Sequence, residues 1–80
     1  MIHARDDYNR IQDPENKIPA DEPVFLLRGQ DQLACQAIEF YAALCAQHQA
    51  PEIAQKAWDH AQRMKAWPKK KVPDLPKGVA

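Results

Sequence analysis

Proline placement constrains this chain more than any other feature. Prolines stand at positions 14, 19, 23, 51, 68, 73 and 76 of 80 residues, and each lacks the amide and the space that a helix interior requires. Two long proline-free stretches remain, residues 24–50 and 52–67. Both carry a helical period.

In the first stretch a helix is expected over about residues 32–49, because steps of ~100° place Leu33, Ala34, Ala37, Ile38, Tyr41, Leu44 and Cys45 on one arc, with Phe40 at its edge. That arc is read as the core side. The opposite side, Cys35, Gln36, Glu39, Ala43, Ala46 and Gln47, holds a single charge, which is sparse for a solvated face and marks it as a candidate subunit contact. Alanine is also simply a good helix former. A second helix is expected over about residues 52–67, with Pro51 at its first position, where a missing amide is harmless. Its stripe of Ile53, Ala54, Ala57, Trp58, Ala61 and Met64 lies opposite Glu52, Gln55, Lys56, Asp59, Gln62 and Arg63. The joint is short, so the two helices should form an antiparallel hairpin.

Outside the helices the pattern fades. Residues 1–20 are polar, contain Pro14 and Pro19 and show no useful period, so they read as an extended or disordered arm. Residues 21–68 form the expected helical domain, and residues 69–80 a basic, proline-spaced tail. Val24 to Leu27 make an apolar run too short to assign by period alone; β-branched Val24 and aromatic Phe25 tilt it towards strand rather than helical turn. Gly29 breaks this run, and Asp31 stands where a helix cap belongs.

The expected fold is mainly α, a two-helix hairpin preceded by a short strand or turn and completed by oligomerisation. The last element follows from size, since a core this small rarely supplies more than ~3–5 kcal/mol. Cysteine does not make up the difference: Cys35 and Cys45 are ten positions apart on one helix, ~15 Å, beyond the reach of a disulfide. Free thiols suit a reducing cytoplasm. The first residues lack the apolar run of a secretory signal and no stretch matches a membrane span, so a soluble cytoplasmic protein is expected.

Formal charge sums to zero, but the first 40 residues carry four basic and eight acidic side chains and the last 40 carry seven and three. Such asymmetry favours docking between subunits or leaves a basic face for an anion. Two clusters are candidates for that face. Arg28 and Asp31 flank Gly29-Gln30 at a helix start, where free amides and a guanidinium can hold a carboxylate or phosphate, unless Asp31 is only the cap and Arg28 its pair. Arg63, Lys65, Trp67, Lys69, Lys70 and Lys71 interleave an aromatic ring with cations, as a site for a nucleotide would, or as an ordinary helix end with a solubilising tail would.

Other chemistry finds little support. The chain has no serine or threonine, no glycine-rich phosphate loop and no organised carboxylate pair, so no enzyme is expected. Cys45, His48 and His60 lack the spacing of a zinc site, and neither a metal nor a cofactor is expected. His48 reads as bordering the core and His60 as facing solvent.

The segment Asp21-Glu22-Pro23-Val24-Phe25-Leu26-Leu27-Arg28-Gly29-Gln30-Asp31, followed by Tyr41 and Met64-Lys65-Ala66-Trp67, resembles small proteins encoded in bacteriophages and prophages. The resemblance spans residues 21–71 and brings no residue roles. It implies a context, in which such proteins inhibit or sequester something of the host. The expected function is a self-associating helical protein that captures a host factor or an anionic, nucleotide-like small molecule. The alternatives are a nucleic-acid-binding accessory acting through the basic carboxyl half, and a purely structural assembly protein.

Overall fold

A computed structural model describes residues 2–8 and 13–75, with β1 (Ile2–His3), a 3-10 turn (Asp6–Tyr8), β2 (Pro23–Val24), α1 (Ala34–Gln47) and α2 (Pro51–Ala66) in chain order. The described residues up to Leu26 group with Asp74 and Leu75 in one compact unit, and Leu27–Pro73 make the other. The second unit holds both helices.

In the first unit β1 and β2 pair in parallel, Ile2 beside Pro23 and His3 beside Val24. Pro23 is tolerated because it opens its strand, and the preceding Glu22 carbonyl accepts from the Ile2 amide at 2.8 Å. The segment expected to be an extended or disordered arm carries a two-residue strand and a 3-10 turn in residues 2–8. A second turn forms at 13–18: the Asp13 carboxylate accepts the amides of Lys17 and Ile18 at 3.1 and 2.9 Å, which organises the chain after Pro14. The polar composition hid these local bonds.

In the second unit the helices pack on one another, and small side chains dominate the contact. Ala34, Ala42, Ala61 and Met64 are buried; Cys35, Ile38, Cys45, Ala54 and Ala57 are half-buried. Of the expected core arc of α1, Ala34, Ile38 and Cys45 lie inside, but the rest of that arc does not. Leu33, Ala37, Phe40, Tyr41 and Leu44 are exposed, whereas Cys35, Glu39 and Ala42 lie partly or fully inside. The reason is steric: α2 presents Ala54, Ala57 and Ala61, and this small row approaches most closely where the fully buried residues of α1, Ala34 and Ala42, are small as well. The face with the larger side chains turns outward. On α2 the expected stripe holds at its centre, while its edges, Ile53 and Trp58, stay exposed. His48 is exposed rather than bordering the core, and His60 faces solvent as read.

The end of α1 explains the sharp joint. His48 ends the helix; the Gln49 amide donates to the Ala46 carbonyl at 3.2 Å and the Ala50 amide to the Cys45 carbonyl at 2.9 Å. This is the Schellman arrangement, and it needs a left-handed residue between. Gln49 takes that role with φ of 61°, a conformation costing a residue with a Cβ ~1 kcal/mol. Gln49→Gly is expected to raise stability by about 1 kcal/mol, read as an increase of ~4–8 °C in the melting midpoint. An unchanged or lower midpoint would contradict this account of the joint.

Candidate functional site

The two sequence clusters meet. Residues 29–32, before α1, and residues 67–71, after α2, are stitched together by backbone bonds: the Lys71 amide donates to the Gln30 carbonyl at 2.7 Å and the Gln32 amide to the Lys71 carbonyl at 3.0 Å. A single parallel bridge pairs Asp31 with Lys71. The Lys70 ammonium completes the junction, donating to the Gly29 carbonyl at 2.8 Å and to the Met64 carbonyl at 2.6 Å. Met64 lies in the last turn of α2, where a cation meets the negative end of the helix dipole. Gly29 suits the close approach here, since a Cβ would stand 3.2 Å from the Trp67 Cβ and the Trp67 side chain would have to give way by a few tenths of an ångström.

This geometry divides the seven candidate ligand residues by role. Lys70 spends two of its three donors on the protein's own carbonyls, and Lys71 is held by its backbone, so both act in closing the junction. Trp67 covers Gly29 yet remains about half exposed. Lys69 and Arg28 are exposed on the two strands of the junction. Arg63 and Lys65 are exposed in the last turn of α2, but two residues apart on a helix they point ~160° from each other. One small anion cannot engage both. The exposed aromatic and basic groups at the carboxyl end of α2 are thus Trp67 and Lys69, with one of the helix cations, while Arg28 is exposed just before Gly29.

Asp31 is not the cap of α1 as expected: that position is Leu33, which makes no side-chain cap bond, and the Asp31 carboxylate instead accepts the Leu33 amide at 2.8 Å. It acts ahead of α1, whose first residue is Ala34, because a further turn intervenes. An anion placed on these amides would compete with it.

The first unit holds a polar cluster that sequence reasoning missed. The Arg5 guanidinium grips Asp7 in a two-pronged contact, Nε to Oδ1 at 2.9 Å and Nη2 to Oδ2 at 2.6 Å. Its Nη1 reaches Asp74, donating to the carboxylate at 2.9 Å and the carbonyl at 3.1 Å. The Tyr8 ring lies beneath it, 4.5 Å from centroid to Cζ. Beside this clasp His3 is 3 % exposed, packed against Tyr8 and Phe25. The Arg5 amide donates to its Nδ1 at 2.9 Å, and its Nε2 lies against both the Leu26 amide, which donates to it, and the Leu26 carbonyl at 3.1 Å. The 69-residue separation of Arg5 from Asp74 kept that half of the cluster illegible, since no local spacing announces such a pair.

Hydrogen bonding to Arg5 holds the Asp7 carboxyl below its ordinary value of 3.8 and raises the pKa of the guanidinium in turn. On α1 the Tyr41 hydroxyl is pushed up by its hydrogen bond to Cys45. Among the described residues no group of three His, Cys, Asp or Glu side chains is placed to hold a metal ion, and both cysteines are free. No helix among them is long and apolar enough to cross a membrane. Comparison with protein-family models, with curated proteins and with solved structures finds no match to this chain.

Lys70→Met removes two charge-assisted bonds while keeping the apolar stem, and about 1 kcal/mol of stability should go with them. Denaturant unfolding read from the tryptophan fluorescence measures it; an unaltered midpoint would exclude a structural role. The clasp should respond to acid. Because the Asp7 pKa is lower in the folded chain, its contribution is complete above the unfolded value and lost as pH falls through the folded one, below about 4. The Arg5 Nε–H resonance should lose its protection from exchange in that range, and a flat profile would refute the pairing.

Proposed function

We propose that this chain is a small, self-associating helical binding protein that works by stoichiometric capture rather than by catalysis. The observation that carries the reading is the mismatch between its core and its surface. Four small or flexible side chains, Ala34, Ala42, Ala61 and Met64, are the buried apolar set, while Leu33, Phe40, Tyr41, Leu44, Ile53, Trp58 and Trp67 remain substantially exposed in the same unit. Leaving that much large apolar surface in water forgoes roughly half of the ~1.5–3 kcal/mol that full burial of each side chain brings, part of which association recovers. An antiparallel α1–α2 hairpin is the protomer of this assembly.

The captured partner is an anionic, nucleotide-like small molecule or a host factor, in keeping with the resemblance to phage-encoded proteins and a site of action in the host cytoplasm. Trp67 with Lys69 and the basic last turn of α2 brings a ring face and cations close together along the chain, the pairing that holds a base and its phosphates. Lys70 and Lys71 support the site by fixing the junction. The acidic amino half and the engagement of Lys70 weigh against extended contact with a nucleic-acid backbone, which draws on many free cations.

Calorimetry and thermal shift with a panel of linear and cyclic nucleotides test the small-molecule arm. A saturable heat that is lost in Trp67→Ala and reduced several-fold in Lys69→Ala is expected. No heat and no shift across the panel would remove this arm and leave protein capture. Strongly salt-dependent retention of duplex or single strands would instead favour the nucleic-acid reading.

A further inference from the structure

The outward face of α1 has a pattern of its own. Leu33, Ala37, Phe40 and Leu44 are spaced by four, three and four residues, the alternation that forms a straight seam along one side of a helix. Their exposure is substantial: 53 % for Leu33, 68 % for Phe40 and 38 % for Leu44, with Tyr41 alongside at 51 %. The geometry points to this seam as the surface on which a second copy of the chain docks, its α1 running antiparallel about a two-fold axis. The inference rests on the self-association proposed above and specifies where and how it occurs.

Two observations select a second copy over other occupants. First, the seam is self-complementary in size when reversed. Turning the helix end for end sets Leu33 against Leu44 of the second copy and Ala37 against Phe40, so the large ring at one position meets the small side chain at the other. A parallel pairing would instead oppose Phe40 to Phe40 and Ala37 to Ala37, giving one crowded layer and one void. Second, the seam carries no charge. Between Gly29 and Pro51 the only Asp, Glu, Lys or Arg residues are Asp31 and Glu39; Asp31 is turned to the Leu33 amide, and Glu39 is half-buried beside the α2 groove with Ala42 and Trp58. A face meeting its own copy brings each charge near its duplicate, and this one has none to repel. An anionic ligand would find no cation there.

Sedimentation of the full chain, alone and as Phe40→Asp, is the first measurement. The wild type should associate, and Phe40→Asp should weaken association at least about tenfold with helicity by circular dichroism unchanged. A monomeric wild type overturns both this inference and the reading beneath it. Association unaffected by Phe40→Asp overturns the seam alone. Orientation is read in a Cys35→Ala, Cys45→Ala background under mild oxidation. Leu33→Cys with Leu44→Cys should yield a disulfide-linked dimer, whereas Leu33→Cys alone should not, because in the antiparallel pair its two copies stand ~16 Å apart along the axis. A linked dimer from Leu33→Cys alone would overturn the antiparallel arrangement.

Discussion

The close contact of two alanine rows governs the second unit. Ala34 and Ala42 on α1 and Ala61 on α2 are buried together with Met64, and their small side chains allow the two backbones to approach. Close approach gains dispersion over many atoms but little hydrophobic transfer, because a methyl group removes little area from water. The result is a well-fitted yet weakly driven core. It also decides the fate of the larger apolar residues of α1, which do not fit between rows of alanine and are turned out. The exposed seam and the small core are one fact seen from two sides.

The junction between residues 29–32 and 67–71 compensates at the open end of the helix pair. Backbone bonds to Gln30 and Gln32, together with the Lys70 ammonium on two carbonyls, replace apolar burial with directed polar contacts. Such contacts fix position better than they add stability. They set Trp67 against Gly29 and leave it about half exposed, with Lys69 nearby in the chain. A binding surface built this way depends on the fold being closed behind it.

Much of the helical pattern was legible in the sequence, because the prolines and the apolar period operate within a few residues. Both helices, the role of Pro51, the turn at Asp31 and the extended character of Val24 follow from local rules. The orientation of α1 did not, since period alone cannot tell which of two apolar-tolerant faces meets the partner helix; that choice depends on the size of the side chains on α2. At the site, Arg28, Trp67 and the lysines were recognisable by type, but the capture of Lys70 by the Gly29 carbonyl joins positions 41 residues apart. The contact of Arg5 with Asp74 was illegible for the same reason. Long-range polar pairs leave no periodic trace.

Cys35 and Cys45 give α1 a further property. Both are free, half-buried and set on the side of the helix that faces α2, near opposite ends of the same contact. Thiol reagents react with what opening exposes, so their rates at these two positions separate fraying at either end from a concerted parting of the helices. The chain carries its own pair of chemical clocks, one at each end of the interface on which its second unit is built.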